Sequence, residues 1–310
     1  MAGLTSGLNA NVTKTALDKV FFQRFAKTPG PQFTSAADPM VFQQDSTDRA
    51  AVIIENFKGV GLWENTPEQA EYRGDTPRVN DQITFDVVRF TKKFNITEEM
   101  IEDDLHTVVR NAITQMGVKA NVTQNRQSMN IFRNASGTTL TSDGVALLSA
   151  AHININGDTI DNTVSGALAV STLEEGINLL VEQVDQAGDI IGHEAKTLLV
   201  PPALFKEAVQ ITESKLEAFT TDNQVNYFSA KYGIVTRQSQ YLGTASDGRD
   251  NHWFLTGEFH SVFRWKRIPV QTRLLSGDHQ ANGDSVYRGR YREVYGAITY
   301  EALVGFEGTA

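Results

Sequence analysis

Apolar residues change period several times along the chain, and each change marks an element. In "TKTALDKVFFQRFAK", Leu17, Val20, Phe21 and Phe25 recur at helical spacing and predict a short amphipathic helix. The next stretch, "TPGPQFTSAADPM", carries Pro29, Pro31 and Pro39, which forbid regular structure. Residues 1–50 therefore read as an arm, with Phe22, Phe33 and Phe42 exposed and no core of their own. Such an arm must lie on something else, in cis or on a neighbouring subunit.

Residues 51–92 predict a long two-stranded excursion, opened by "AVIIENF" and closed by "QITFDVVRFTKKF". Ten residues a side would extend ~33 Å, and an isolated hairpin of that kind is marginal in water. A long helix follows, with Thr97 as N-cap, Glu98 and Glu99 in its first turn, and Ile96 against Ile101 as a staple. Ile101, Leu105, Val108, Ala112 and Met116 repeat on one face, and the pattern runs on to about Phe132, with a bend expected at Gly117.

From about 158 to 250 the texture is α/β. "STLEEGINLLVEQVDQAG" predicts a helix with Ile177, Leu180, Val181 and Val184 inward and Gly188 as its stop. "KTLLVPP" reads as a buried strand, Pro202 opens a second helix, and "YGIVTRQSQYL" is a further strand. Residues 251–310 are strand-like throughout. There Arg288, Arg290 and Arg292 alternate onto one face, while Tyr287, Tyr291 and Tyr295 take the other. No internal repeat is present.

Composition narrows the class. The 310 residues are 40% apolar and 21% charged, as expected of a globular chain with a sizeable core. No window approaches the ~18 apolar residues of a membrane span, and the first residues lack the pattern of a secretory signal. The absence of cysteine removes disulfides, thiolate nucleophiles and cysteine–zinc sites. Four glycosylation sequons, at Asn11, Asn95, Asn121 and Asn134, read as chance matches. A net charge of −9 argues against a surface that grips nucleic acid as a whole.

Candidate chemistry is sparse. There is no Walker loop, and Gly59 with Gly61 is only a fragment of a dinucleotide fingerprint. The six histidines show no metal spacing, and His193–Glu194 lacks the second histidine of a metalloprotease helix. "NGDTIDN" and "SGDHQANGDS" collect oxygens around glycine turns without matching a calcium loop. No metal or cofactor is expected. "DGVALLSAAHI" ends in the lone His152, with Thr141, Ser142 and Asp143 just upstream, and no Gly-x-Ser-x-Gly elbow supports a triad there. Glu98, Glu99, Glu102, Asp103 and Asp104 form the densest charge cluster, read as paired glycosidase carboxylates or as a solvated helix start. The Arg288/Arg290/Arg292 stripe reads as a partner for that cluster or for a neighbouring subunit, or else as a protected strand edge.

Four stretches together resemble the major capsid proteins of tailed bacteriophages with the Hong Kong 97-type fold. "KKFNITEEMIEDDLHTVV" is similar to that family's step from extended loop to spine helix, and "DGVALLSAAHI" to the segment after the helix. "LLVPPALFKEA" and "FRWKRIPVQ" resemble the strand–Pro-Pro–helix step and the strand that returns to the peripheral domain. The resemblance implies an α+β fold with an arm at 1–50, an extended loop at 51–92, a peripheral domain with the spine helix at 93–157, an axial domain at 158–250, and returning strands at 251–310.

It also implies hexamers and pentamers in an icosahedral shell around double-stranded DNA, with the extended loop lying over a neighbour. Inter-subunit candidates are Trp63, Tyr72, Arg73, Arg78, Glu98, Glu102, Asp103, Arg288, Arg290 and Arg292. Asp143, Gly144 and His152 become a structural connector, with His152 bonded to backbone. Some family members link subunits through a loop lysine; residues 62–82 here contain none, the nearest being Lys58 and Lys92, so a non-covalent shell is expected. The short arm implies a separate scaffold protein or a processed form, beside a portal and decoration proteins. Weak contact with DNA, a place in the virion, assembly in the host cytoplasm and no membrane partner complete the expectation. The alternatives are an encapsulin-like compartment and, further off, a hydrolase using His152 or the acidic cluster.

Overall fold

The structure is a computed structural model and describes residues 14–27, 41–58, 62–63, 65–71, 74, 78–103, 106–214, 226–275 and 284–306. Helix α1 (Lys14–Lys27) and the short strand β1 (Gln43–Ser46) precede a hairpin of β2 (Ala51–Lys58) and β3 (Arg78–Asp86). Its register runs from Ala51 opposite Asp86 to Lys58 opposite Arg78. The hairpin ends at Asp86, not at residue 92 as the continuous β-branched run suggested. Val87 is buried and its N–H turns back to the Ala50 carbonyl at 3.0 Å, which redirects the chain. Strand β4 (Val88–Ile96) then joins a different sheet.

After β4 come α2 (Glu98–Glu102) and α3 (His106–Arg133). Thr97 caps the short α2, its Oγ1 accepting from the Met100 N–H at 3.2 Å, and not the long helix expected to start there, which begins at His106. Helix α3 runs through Gly117 without a break. A Cβ there would stand 2.9 Å from the Phe21 carbonyl oxygen, so the glycine is where α1 lies down on α3 rather than a bend. That second helix also shifts the buried stripe: Val109, Ile113 and Met116 face inward, and Val108 is 47% exposed. Leu17 and Phe21 of α1 join them with Ile96 and Tyr287 in one cluster, so this part of the arm docks in cis. Phe42 is buried, edge-on to Phe132 and Tyr295, and not exposed as its neighbourhood in sequence implied. Phe22 remains exposed, and Phe33 lies outside the described residues.

The connector holds β5 (His152–Ile153) and β6 (Thr159–Ile160), which pair with each other, and leads into α4 (Val170–Val181). This helix ends at Val181, seven residues before Gly188. Residues beyond it form a turn closed by a Val184–Ile190 bridge, with Gly188 at φ +92° serving that turn. Ile177 and Leu180 are inward as expected, whereas Val181 is 43% exposed. Then follow β7 (Ala195–Val200), a short 3-10 turn at Pro202–Leu204, α5 (Phe205–Thr212), α6 (Tyr227–Lys231), β8 (Val235–Gln238) and β9 (Trp253–Gly257). The long strands β10 (Val262–Leu275) and β11 (Ser285–Ala297) and the last strand β12 (Leu303–Phe306) complete the chain.

Two four-stranded sheets result, ordered β1-β10-β11-β4 and β12-β9-β7-β8. The tail therefore divides between them: β10 and β11 build the first, β9 and β12 the second. Leu199, Phe254 and Leu303 from the second sheet pack with Val262 and Ala297 from the first and with Met129 and Phe132 of α3. The sheets thus share a core through the end of the long helix. Beneath the first sheet lies a buried ion pair, Arg264 to Glu293 at 2.6 Å. Gln124 of α3 donates to the same carboxylate at 3.3 Å and Tyr295 to its other oxygen at 3.2 Å.

Candidate functional site

His152 is fully buried, with Nδ1 2.7 Å from Asp143 Oδ2 and its ring stacked on Tyr300 at 4.3 Å between centroids. The other Asp143 oxygen accepts from the Thr141 hydroxyl and from the Val145 N–H, around a turn that Gly144 enters at φ +77°. Burial pushes the Asp143 carboxyl up, but the hydrogen bonds from His152, Thr141 and Val145 outweigh it and hold the group below its ordinary value. An ionised Asp143 then orders the imidazole with its proton on Nδ1. The expected backbone bond from His152 is replaced by this side-chain bond, because the turn brings a carboxylate from nine residues upstream onto the ring. A triad needs Nε2 against a hydroxyl. Here Nε2 is buried and bonds nothing among the described residues. Asp143 and His152 tie the 141–145 turn to β5.

The acidic cluster stands in the open. Glu99, Glu102 and Asp103 are exposed; the side chain of Glu98 and the whole of Asp104 lie outside the described residues. Among those residues no ion pair joins this cluster to the arginine stripe.

The stripe itself alternates as predicted: Arg288 and Arg290 are exposed, Arg292 half-buried, and Tyr287 and Tyr291 are buried on the opposite face. It is not a strand edge, because β11 lies between β10 and β4. Strand pairing adds cations that the sequence alone did not associate with it. Lys93, Arg288 and Arg273 stand directly opposite one another across three strands, and Arg89 stands opposite Arg292. Thr91 and Gln271 flank Arg290. No carboxylate occupies these positions, and directly opposed like charges destabilise a sheet. An open groove of ≈ 930 Å³ runs past Arg89, Lys93, Arg273, Arg288, Arg290 and, from α1, Lys14.

The hairpin carries the remaining candidates. Trp63 is 100% exposed and Leu62 is 75% exposed. None of the side chains of 51–56 or 81–86 is fully buried. Tyr72 and Arg73 lie outside the described residues, as does the side chain of Arg78, whose backbone pairs with Lys58. Two features of the docked arm escaped sequence reasoning. Asp18 accepts hydrogen bonds from Tyr287 Oη at 2.8 Å and Thr272 Oγ1 at 2.6 Å, and Lys14 pairs with it one turn back. Only the i, i+4 spacing of Lys14 and Asp18 was visible beforehand.

A family model described as phage capsid protein matches residues 80–305. No curated protein sequence matches the chain. Among solved structures, the mature capsid of bacteriophage PhiM1 is similar at a TM-score of 0.54 and 12% identity, over 90% of this chain and 88% of that one. The Microbacterium phage Oxtober96 structure gives 0.52 at 13%, over 90% and 92%. A virus-like particle from Pyrococcus furiosus gives 0.52 at 11%, over 94% and 98%. At these identities the likeness is one of fold. A long helix under a mixed sheet, a projecting hairpin, a second sheet on a shared core and the family match over most of the length agree. The chain belongs to the phage capsid protein family: it is a structural head protein of the Hong Kong 97-type fold, which associates with itself into an icosahedral shell.

Proposed function

We propose that the chain forms hexamers and pentamers whose shell encloses double-stranded DNA, without covalent links between subunits. In this reading β2–β3 is the extended loop, α3 the spine helix of a peripheral domain built on the first sheet, and the second sheet the axial domain. Asp143, Gly144 and His152 hold the connector between them. The observation that carries the reading is the hairpin, whose described side chains at 51–56 and 81–86 are none of them fully buried and which leads to a bare tryptophan at position 63. Two strands alone are marginal in water, so a neighbouring copy is what makes the hairpin worth building. Trp63, Tyr72, Arg73 and Arg78 then belong to contacts between subunits, as do the exposed acids Glu102 and Asp103 beside Glu98.

A scaffold protein, a portal and decoration proteins fit as further partners, and assembly in the host cytoplasm fits a cysteine-free chain. Among the described residues no helix is long and apolar enough to cross a membrane. Deleting residues 64–80 tests the reading: the product should be a soluble, folded subunit that no longer sediments as shells. A deletion product that unfolds would show that the hairpin belongs to the subunit's own core and sink the assignment.

A further inference from the structure

Six cations on one face of the first sheet, Arg89, Lys93, Arg273, Arg288, Arg290 and Arg292, in a chain with net charge −9 need an explanation. Lys93, Arg288 and Arg273 form a continuous row across β4, β11 and β10, and Arg290 and Arg89 extend it along the strands. Successive positions on one face are ~6.6–6.8 Å apart along a strand, and neighbouring strands ~4.8 Å apart, so these heads crowd within mutual repulsion. Among the described residues none of Arg89, Lys93, Arg273 and Arg288 has a carboxylate partner. A counter-charge from outside the subunit would relieve that repulsion.

The chain contains a segment of matching character. Residues 60–72 read "VGLWENTPEQAEY", with three glutamates and no lysine or arginine. Glu68 and Glu71 are exposed on the hairpin's connection, beside Trp63 and Leu62, which are exposed as well. Among the described residues the paired strand positions of the face hold no acid, and residues 60–72 contain no base. We propose that the cationic face of the first sheet is an ionic latch, which receives the acidic segment around Glu68 and Glu71 from the hairpin of a second copy. The inference rests on the reading of the chain as a shell subunit and deepens it: the hairpin is seated by charge on particular strands. The two patches lie at different places on one chain, so the contact is heterologous and repeats head to tail, as closure into a ring requires. Guanidinium heads offer two donors to each carboxylate, which fixes register as well as energy.

Charge reversal in the full chain tests it. One variant carries Arg273→Glu, Arg288→Glu and Arg290→Glu, a second Glu68→Lys and Glu71→Lys, and a third all five. Each of the first two should lower the sedimenting, assembled fraction at least tenfold in low salt, and the five-fold variant should recover most of it. Arg273→Gln, Arg288→Gln and Arg290→Gln together supply a milder version with no reversed charge, and an unchanged melting temperature certifies its fold. Wild-type shells should also loosen as salt shortens the screening length from about 10 Å at 0.1 M to about 3 Å at 1 M. Failure of the five-fold variant to recover, or normal assembly of the reversed face, overturns the latch while leaving the shell reading intact. So does a reversed face that assembles normally yet no longer retards a duplex DNA fragment, which would make nucleic acid the occupant. Absence of shells from the wild-type chain would instead overturn the shell reading.

Discussion

The Tyr287 hydroxyl donates to Asp18 across 2.8 Å, joining α1 to β11, an inner strand of the first sheet. Thr272 donates to the same carboxylate oxygen from the next strand, so one side chain clamps α1 to two strands. The residues are 269 positions apart. The clamp holds α1 of the arm on the subunit's own sheet.

Replacing Asp18 by Ala should cost about 1–3 kcal/mol, since it leaves two hydroxyls without their acceptor at a partly buried contact. Thermal unfolding of the variant measures the loss. Burial alone would raise the Asp18 carboxyl, but hydrogen bonds from Lys14, Thr272 and Tyr287 and the Lys14 charge hold it below its ordinary value. The native state therefore binds its proton less readily than the unfolded state. The clamp's contribution is complete above the ordinary carboxylate range and fades as pH falls through the lowered value.

His252 carries the opposite kind of pH dependence. Its ring is fully buried, with neither nitrogen bonded among the described residues, and burial together with the nearby Arg249 lowers it to about 4. The unfolded chain takes up this proton near pH ~6.5 while the native state refuses it. Stability should fall as pH drops from ~6.5 toward 4, at up to about 1.4 kcal/mol per pH unit, and this part of the fall should vanish in His252→Phe. Urea melts of both proteins at pH 7 and pH 5 measure the difference.

The Arg264–Glu293 pair should behave as a unit. Glu293→Gln leaves a buried guanidinium without its counter-charge and should destabilise by about 3–5 kcal/mol. Replacing both residues, with Arg264→Met and Glu293→Leu, should cost much less than the sum of the two single changes. A double-mutant cycle by urea denaturation reads the coupling.

Much of the architecture was legible because local patterns agreed with the final fold. Leu17 and Phe21 are inward, and the alternation of Arg288 and Tyr287 gives the correct faces of β11, while Thr97 caps a helix, but the short α2 and not the long α3. What local pattern could not reveal was pairing. The run "QITFDVVRFTKKF" is β-rich throughout, and nothing within it says that Val87 hands the chain from the hairpin to the sheet. Gly117 reads as a helix defect until α1 is seen pressed against it, and Gly188 as a helix stop until the turn after Val181 is seen. The arginine stripe was visible, but its extension by Lys93 and Arg273 exists only across strands. Asp143 and His152 stand out together in sequence, but that the ring bonds the Asp143 carboxylate and not backbone is visible only in three dimensions.

The central claim, that this is a self-assembling shell subunit, is tested most directly by electron micrographs of the purified protein produced together with the scaffold and portal proteins proposed above. Closed icosahedral particles of uniform diameter, with five-fold and six-fold capsomers on their surface, are the predicted result. A field of monomers or small open oligomers under those conditions would contradict it.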